Sequence, residues 1–123
     1  MAYYSKRSLD RLFTCDAQLI ELCMELVRHR DNTVVWGHRN EEQRNALVNH
    51  NPPRSRLSYP DSAHNKMPSR AVDLQPHPMT KEMMNDREMW MMFRGQVYGI
   101  ASMLGIQLKP TIEWDLYHFE LED

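Results

Sequence analysis

Two histidines and one aspartate are the residues of this sequence whose types and placement best suit metal chemistry: His64, Asp73 and His118. Two imidazoles and one carboxylate make a three-ligand set that leaves a zinc ion one open position for water. His64 lies in a long loop, Asp73 lies on the short strand after it, and His118 begins the last predicted strand. Because side chains at the ends and edges of strands can share a cavity, we expect a zinc site at the edge of a small sheet. Solvated surface histidines are the alternative that the spacing leaves open.

Two acidic residues flank His118 in the sequence. Asp115 lies three residues before it. In a strand that offset would place the carboxylate on the opposite face, so we expect Asp115 in the turn that leads into the strand, where it could reach a metal-bound water. Glu120 lies two residues after His118 and shares its face. It could compete as a ligand, but we favour a salt bridge or a contact behind the metal ligands.

The other four histidines have weaker claims to a metal. His29 and His50 end predicted helices, where a cation interacts favourably with the helix dipole. His38 follows the end of a strand, and its position does not distinguish a structural role from metal binding. His77 lies between two prolines, which is typical of a turn, so we do not expect it to bind the metal.

Short helices and strands must position these residues. After residues 1–9, which show no clear period, the predicted elements are a helix from its N-cap Thr14 onwards, a strand over 33–36, a helix over 41–48 capped by Asn40, a loop over 51–69, a strand over 71–74, a helix over 80–104 ended by Gly105, and strands over 106–108 and 117–121. Helices mixed with short strands, without regular alternation of the two, indicate an α+β domain in which a small antiparallel sheet packs against helices.

The long predicted helix carries a cluster of methionines and a pair of glycines. The methionines are Met83, Met84, Met89, Met91 and Met92. At helical spacing we expect them to fill the core rather than to form an adaptable binding surface. The pair Gly95 and Gly99 predicts close packing of this helix on the sheet.

Composition excludes several classes of protein. The 123 residues, 41% apolar and 26% charged, are enough for one domain with a single core. A net charge of −2 argues against a partner such as nucleic acid, whose phosphates need clustered positive charge. No apolar run approaches the roughly 20 residues that cross a bilayer, and no signal peptide is evident. Cys15 and Cys23, eight apart in a helix, cannot form a disulfide with each other and are expected in the core.

Several segments together resemble a known family of zinc peptidases. They are Ser62-Ala63-His64-Asn65, Ser69-Arg70-Ala71-Val72-Asp73, Asp115-Leu116-Tyr117-His118-Phe119-Glu120-Leu121, a turn at Trp36-Gly37-His38-Arg39-Asn40 through Gln43, and Gly99-Ile100-Ala101 to Leu104-Gly105-Ile106. In this order the motifs resemble the D-Ala-D-Ala carboxypeptidase/VanY-like peptidases. Within that group the chain is most similar to the small bacteriophage endolysins that act as L-alanyl-D-glutamate peptidases. The resemblance spans nearly the whole chain, from about Ser5 onwards.

The resemblance implies a role for each candidate residue. The three metal candidates would bind Zn²⁺, and Asp115 would act as the general base. Arg39 would bind the substrate carbonyl or the oxyanion that develops on it, and Ser62 would support substrate binding by hydrogen bonding. These roles agree with the chemistry, because zinc lowers the pKa of a bound water to about 7, and an arginine keeps its charge at any working pH.

Two departures from the family pattern stand out. His64 and Asp73 are nine residues apart, two more than in the commoner pattern, which we interpret as a loop of the endolysin branch. Only nine residues lie between Leu104 and Trp114, where the family has a longer loop rich in glycine and tryptophan. The shorter loop should remove part of the cleft rim, so it bears on the substrate more than on the metal.

The resemblance therefore implies a zinc-dependent peptidoglycan endopeptidase, a phage endolysin that hydrolyses the L-Ala–D-Glu bond of the stem peptide during host lysis. We expect one peptidase domain over residues 1–123 without a wall-binding domain, a monomer that does not insert into membranes. It would be made in the host cytoplasm and reach the peptidoglycan through a membrane pore. One alternative is a D-Ala-D-Ala carboxypeptidase or dipeptidase, which as an exported enzyme should carry a signal or an anchor. Another is a non-catalytic zinc-containing module that binds the cell wall, although a structural zinc site would not need Asp115.

Overall fold

Helices and one small sheet make up the structure, a computed structural model that describes residues 2–39, 63–110 and 115–122. In chain order the elements are α1 (Lys6–Leu12), α2 (Ala17–His29), β1 (Asn32–Trp36), a 3-10 turn (Ala63–Asn65), β2 (Ala71–Pro76), α3 (Lys81–Met84), α4 (Arg87–Met103) and β3 (His118–Glu120). The predicted α+β class, with an antiparallel sheet and helices in one domain, is confirmed. The predicted helix over 41–48, its cap Asn40, His50 and Ser62 lie outside the described residues. None of the described helices is long and apolar enough to cross a membrane.

The three strands are antiparallel and lie in the order β1-β2-β3, so β2 is the central strand. A bulge between Val34 and Trp36 shifts the register of β1, and Trp36 consequently pairs with Asp73. On the other side of β2, His118 also pairs with Asp73. The register therefore places one carboxylate between an imidazole and the segment that begins at Trp36.

Alternation along the strands separates the hydrophobic core from the candidate metal ligands. Val72 of β2 pairs with Phe119 of β3, and both side chains are fully buried. Asp73 and His118, one position along each strand, point to the other face. Helix α4 covers the core face, where Phe93 meets Phe119 edge to face with ring centroids 6.2 Å apart. The sheet is thereby fixed from one side, and its other side is left for polar residues.

Helix α1 was not expected from the sequence. Ser5 caps it, since its hydroxyl accepts a hydrogen bond from Ser8 N. Only Ser8 and Leu12 of its seven residues are buried, and one apolar buried residue is too few to give a helical hydrophobic pattern in the sequence. The helix covers the free edge of β1, because Val34 N donates to Ser8 Oγ (3.2 Å) and Arg11 Nη1 donates to Val34 O (3.0 Å). Side chains of α1 thus satisfy backbone groups that an edge strand would otherwise expose.

The start of α2 differs from the prediction. Asp16, not Thr14, is the N-cap, because the Asp16 carboxylate accepts from Gln18 N. Thr14 instead donates its hydroxyl to Arg11 O (2.6 Å) and accepts from His38 N (2.8 Å). The hydroxyl that looked like a cap therefore joins the end of α1 to the segment after β1.

The second half of the chain contains two further corrections. The predicted helix over 80–104 is divided into α3, capped by Thr80, and α4, capped by Asp86. A carboxylate that accepts from the backbone competes with continuation of the helix, which explains the break. Gly105, with φ +73°, ends α4 as predicted. The predicted strand over 106–108 is reduced to a single bridge between Leu108 and Leu121, a contact too short to form a ladder.

The predictions for the methionines and glycines of the long helix are largely wrong. Met84, Met91 and Met92 are 51%, 43% and 75% exposed, and the other two methionines of the cluster are partly buried. A Cβ on Gly95 or Gly99 would meet no atom within 4 Å, so this pair marks no close packing. Trp90, Phe93 and Val97 occupy the core face of α4 instead, and Met89 packs only partly against the core.

The two cysteines are buried and unpaired, as predicted. Burial raises the pKa of the Cys15 thiol to about 12 and also raises the pKa of the Cys23 thiol. Neither thiol is therefore ionised near neutral pH, which excludes both as thiolate nucleophiles.

Gly37 lies where the chain passes against the end of α1. A Cβ at this position would overlap Arg11 O and would lie 2.5 Å from Thr14 Oγ1 and 3.1 Å from Cys15 Sγ. Since Arg11 O belongs to the backbone, it can give way only if α1 moves. Glycine is therefore required at this position by close approach.

We expect Gly37→Ala to lower the free energy of unfolding by about 1–3 kcal/mol, the usual cost of overpacking. Gly99→Ala is the matched control, because its Cβ would enter open space in a helix, where alanine is favoured by about 0.5–1 kcal/mol. Urea denaturation followed by circular dichroism compares the two variants. Equal stability of Gly37→Ala and the wild type would contradict the close approach.

Candidate metal centre

Three side-chain atoms from separate elements converge on the polar face of the sheet, at Asp73 of the central strand β2. His64 Nε2 and His118 Nδ1 each lie 3.1 Å from Asp73 Oδ1, and the two nitrogens lie 3.3 Å from each other. His64 and Asp73 are almost fully buried, and the side chain of His118 is 17% exposed. Among the described residues, these three form the group of ligand-type side chains close enough to share a metal ion.

The hydrogen bond behind His64 determines which of its nitrogens can bind a metal. Nδ1 lies 2.7 Å from Gly37 O. Because a carbonyl oxygen can only accept, the proton of the neutral ring is on Nδ1, and Nε2 presents a lone pair towards Asp73. The tautomer of His64 is thereby set for ligation through Nε2.

His118 is oriented in the same way by a carboxylate. Its Nε2 donates to Glu120 Oε1 (3.0 Å), and Glu120 Oε2 in turn accepts from Lys109 Nζ (2.6 Å). The hydrogen bond from His118, together with that from Lys109, lowers the pKa of Glu120 to about 2 although burial opposes the shift. Glu120 is therefore a carboxylate at neutral pH and leaves Nδ1 of His118 as the inward-facing atom. The favoured placing of Glu120, behind the ligands and in a salt bridge, agrees with this geometry.

The donor set fits a divalent metal. In their neutral tautomers both imidazoles turn lone pairs towards Asp73 Oδ1, so three acceptors face one another with no proton between them. Such an arrangement needs a cation at its centre, and two imidazoles with one carboxylate are the ligands of many zinc sites with an open position. Without a metal, a proton on His118 can take that place. Burial alone would lower the pKa of His118, but its hydrogen bonds to Asp73 and Glu120 raise it to about 9.

We expect the metal-free protein to lose stability as the pH rises from 6.5 to 9. The folded pKa of His118 (about 9) lies above its ordinary value of 6.5, so its contribution is complete below pH 6.5 and is lost through pH 9. Zinc requires the unprotonated ring, so the rise in Tm on adding zinc should grow over the same interval. Thermal melts with chelator and with zinc at each pH test both trends. His118→Ala is the reference protein. If the Tm measured with chelator did not fall relative to this reference between pH 6.5 and 9, the protonation of His118 in the metal-free protein would be contradicted.

Glu120→Gln is expected to weaken zinc binding by about 10–100-fold, since partners behind metal-bound histidines have effects of that size. The glutamine keeps the shape but removes the charge that holds His118 Nε2–H and Lys109. Competition titration with a chromophoric chelator measures the affinity. Glu82→Gln, on exposed α3, is the matched control and should bind zinc as the wild type does. Equal affinity in both variants would show that Glu120 does not support the metal site.

Arg39 lies against Asp73 rather than open to solvent. Its Nη2 donates to Asp73 Oδ2 at 2.7 Å, and its guanidinium lies over the Trp36 ring, 4.8 Å from the centroid. Both partners of this ion pair are buried. Burial alone would raise the pKa of Asp73, but the charges and hydrogen bonds of the two histidines lower it. Arg39 therefore occupies one oxygen of Asp73 and leaves Oδ1 to face the histidines.

Hydrogen bonds to backbone carbonyl groups bring residues distant in sequence together. Arg39 N donates to His64 O (2.8 Å), and Asn65 Nδ2 donates to Arg39 O (2.9 Å). These bonds join the segment after β1 to the 3-10 turn that carries His64. That Asn65 would hold Arg39 next to His64 was not predicted from the sequence, although its position directly after His64 could have indicated such a role.

Asp115 lies in the turn before β3, where His118 N donates to Asp115 O at 3.4 Å. Burial raises the pKa of the Asp115 carboxyl above its ordinary 3.8, and the charge of His118 opposes that shift. Among the described residues no hydrogen bond engages this carboxylate. A half-buried carboxylate with no hydrogen bond to a described residue, beside a metal-type donor set, is suited to accept a proton.

The structure separates the remaining candidates from the cluster. His29 is exposed and contacts Glu25 (3.1 Å), and His77 is also exposed. His38 lies beside the site without being part of the metal-type group. Ser62 lies outside the described residues, so its predicted role stays a prediction.

The fold is similar to that in the crystal structure of Serratia marcescens L-Ala D-Glu endopeptidase ChiX. The TM-score is 0.71 and the sequence identity is 18%, with 98% of this chain and 90% of that chain covered. At this identity the likeness concerns the fold alone. No protein-family model matches the sequence, and no curated protein matches it.

Proposed function

We propose that this protein is a zinc-dependent peptidoglycan endopeptidase that hydrolyses the L-Ala–D-Glu bond of the stem peptide. One observation carries the proposal: His64, Asp73 and His118 converge with their metal-type atoms facing one another, and the half-buried Asp115 lines the same pocket as His118. The similarity of the fold to an L-Ala D-Glu endopeptidase supports this choice of substrate. We assign the chain on the same grounds to the VanY-like zinc peptidases, as one peptidase domain over residues 1–123.

His64, Asp73 and His118 would hold the zinc through Nε2, Oδ1 and Nδ1. When bound, zinc supplies a Lewis acid that makes water acidic enough to ionise near pH 7 and polarises a carbonyl group. Gly37 O and Glu120 accept from the outer nitrogens of the two rings, so the inner nitrogens are oriented towards the position that the metal would occupy. The protein therefore supplies ligands whose orientation exists before any metal binds.

Asp115 would be the general base. Its carboxylate can accept a proton from the attacking water and pass it to the nitrogen of the departing amine. Burial raises the pKa of this carboxyl, which makes it a better base than an exposed aspartate. The position of Asp115 in the turn before β3 keeps it next to His118.

Arg39 would have two tasks. Its ion pair with Asp73 Oδ2 orients the carboxylate ligand. Its permanent charge, so close to the ligands, would also stabilise negative charge on the substrate carbonyl oxygen. Ser62 would support substrate binding by hydrogen bonding, as the family resemblance implies.

The substrate class follows from the same proposal. Bacterial peptidoglycan would be the partner, with the chain acting as a phage endolysin made in the host cytoplasm and released to the wall through a membrane pore. A monomer without nucleic-acid or membrane partners is expected.

Mass spectrometry of purified peptidoglycan incubated with the protein tests the proposal directly. We expect fragments that end in L-Ala on the amino sugar, paired with peptides that begin with D-Glu. Chelation should abolish these fragments and zinc should restore them. Loss of terminal D-Ala alone would replace the proposal by a D-Ala-D-Ala carboxypeptidase or dipeptidase. Zinc binding without any released fragment would favour a non-catalytic cell-wall-binding module.

A further inference from the structure

Helix α4 carries a buried arginine next to the candidate site. Arg94 is a charged residue but lies on the same face as the core residues of α4, and only 2% of it is exposed. An arginine keeps its charge, so burial is tolerated only where several acceptors surround the guanidinium. The acceptors around Arg94 are therefore informative about what the residue does.

Three backbone carbonyls around the start of β3 accept from one nitrogen of Arg94. Its Nη1 lies 2.6 Å from Leu116 O, 3.0 Å from His118 O and 3.3 Å from Asp115 O. These carbonyls belong to the turn that separates Asp115 from His118. The guanidinium thus holds the turn together from its inner side.

The guanidinium is itself held in place. Its Nη2 donates to Tyr98 Oη (3.1 Å), and that hydroxyl donates to Lys109 O (2.6 Å). Its carbon lies 4.4 Å from the centroid of the Phe119 ring. The aromatic ring and the tyrosine leave the charged plane little freedom, so the carbonyls it binds have a rigid partner.

We propose that Arg94 is a positioning residue that sets the separation of Asp115 from His118 by binding the backbone of the turn between them. The turn is also joined to the sheet by a backbone hydrogen bond from Leu74 N to Tyr117 O (2.9 Å). The part of this inference that concerns catalysis rests on the proposed function. The part that concerns the turn does not.

The residue type matters because a planar guanidinium offers five N–H groups in a fixed fork. A lysine keeps the charge but ends in a compact ammonium, which cannot bind the turn carbonyls and Tyr98 Oη with the same geometry. Arg94→Lys therefore retains charge and removes the fork. Arg87→Lys, at the exposed start of the same helix, is the matched control.

The first test uses the metal-free protein and no substrate. We expect Arg94→Lys to raise the amide exchange rate at least about tenfold over residues 115–118, while exchange in β1 and in α2 stays as in the wild type. Exchange in the turn equal to that of the wild type and of Arg87→Lys would overturn the proposal. If Arg94→Lys does not fold, Tyr98→Phe takes its place, because it removes only the hydroxyl that holds Nη2. It should give a smaller rise in the same segment, and no rise would count against the proposal.

The second test concerns catalysis and separates positioning from general stability. Because a misplacement of about 1 Å can cost about 100-fold, we expect Arg94→Lys to lower kcat by about 10–100-fold with little change in KM at a temperature where it is folded. In the Asp115→Asn background the same change should have almost no further effect on the residual rate. Equal losses in both backgrounds would overturn the role towards Asp115. A wild type without peptidase activity would contradict the proposed function, and the exchange measurement alone would then decide the inference about the turn.

Discussion

Replacing Asp115 with asparagine is expected to lower kcat by about 10²–10⁴-fold, the usual contribution of a positioned general base. The amide has nearly the same shape but cannot take a proton from water. Zinc content should stay at the wild-type level, because Asp115 is outside the group of three metal-type donors. The Tm should be equal or slightly higher, since burial raises the pKa of this carboxyl and the neutral amide avoids that cost.

A matched variant controls for a change of charge alone. Asp10→Asn alters an aspartate whose side chain is 64% exposed and whose ion pair with Lys6 lies on the surface. Fragment release from peptidoglycan, zinc content and Tm are compared for the two variants. If Asp115→Asn hydrolyses at the wild-type rate, Asp115 has no part in the mechanism.

His118→Ala is expected to weaken zinc binding by more than about 100-fold and to abolish hydrolysis. Changes behind a metal ligand already cost about 10–100-fold, so the loss of a ligand itself must cost more. Only His64 and Asp73 would remain of the three donors. The variant should still fold, because Arg39 continues to pair with the buried carboxylate of Asp73.

His29→Ala is the control, since it removes an exposed histidine whose side chain contacts Glu25 and lies outside the metal-type group. It should bind zinc and hydrolyse peptidoglycan as the wild type does. Isothermal titration and elemental analysis of both variants, with circular dichroism to verify folding, give the answer. Full zinc occupancy in folded His118→Ala would remove His118 from the ligand set.

Sequence periodicity was informative where an element presents one long apolar face. It predicted most of α2 and α4, and the β-branched run before Gly37 predicted β1. It failed at α1, where Ser8 and Leu12 are the buried residues and the contacts to β1 are polar. It also failed for the exposed methionines, because spacing along a helix does not tell which of two faces meets the core.

The candidate site was foreseen in its residue types but not in its geometry. His64, Asp73 and His118 could be named from their chemistry and from the resemblance to zinc peptidases. Arg39 was expected at the substrate, and the structure places its guanidinium on Asp73. That pairing joins residues 34 positions apart, and no local pattern encodes such a contact.

What the sequence determined by itself was the α+β class, the unpaired cysteines and a set of side chains able to bind a metal. Those properties depend on composition, short-range periodicity and the chemistry of single residues. Only the tertiary structure decided that the lone pairs of His64 and His118, 54 positions apart, face one carboxylate oxygen. It also decided that Arg94 binds the turn that follows more than 20 residues later. The first arrangement depends on the pairing of β2 with β3 and on the contact of His64 with Gly37 O. The second depends on α4 lying beside the turn before β3. Both are contacts between residues far apart in sequence, which local patterns do not encode.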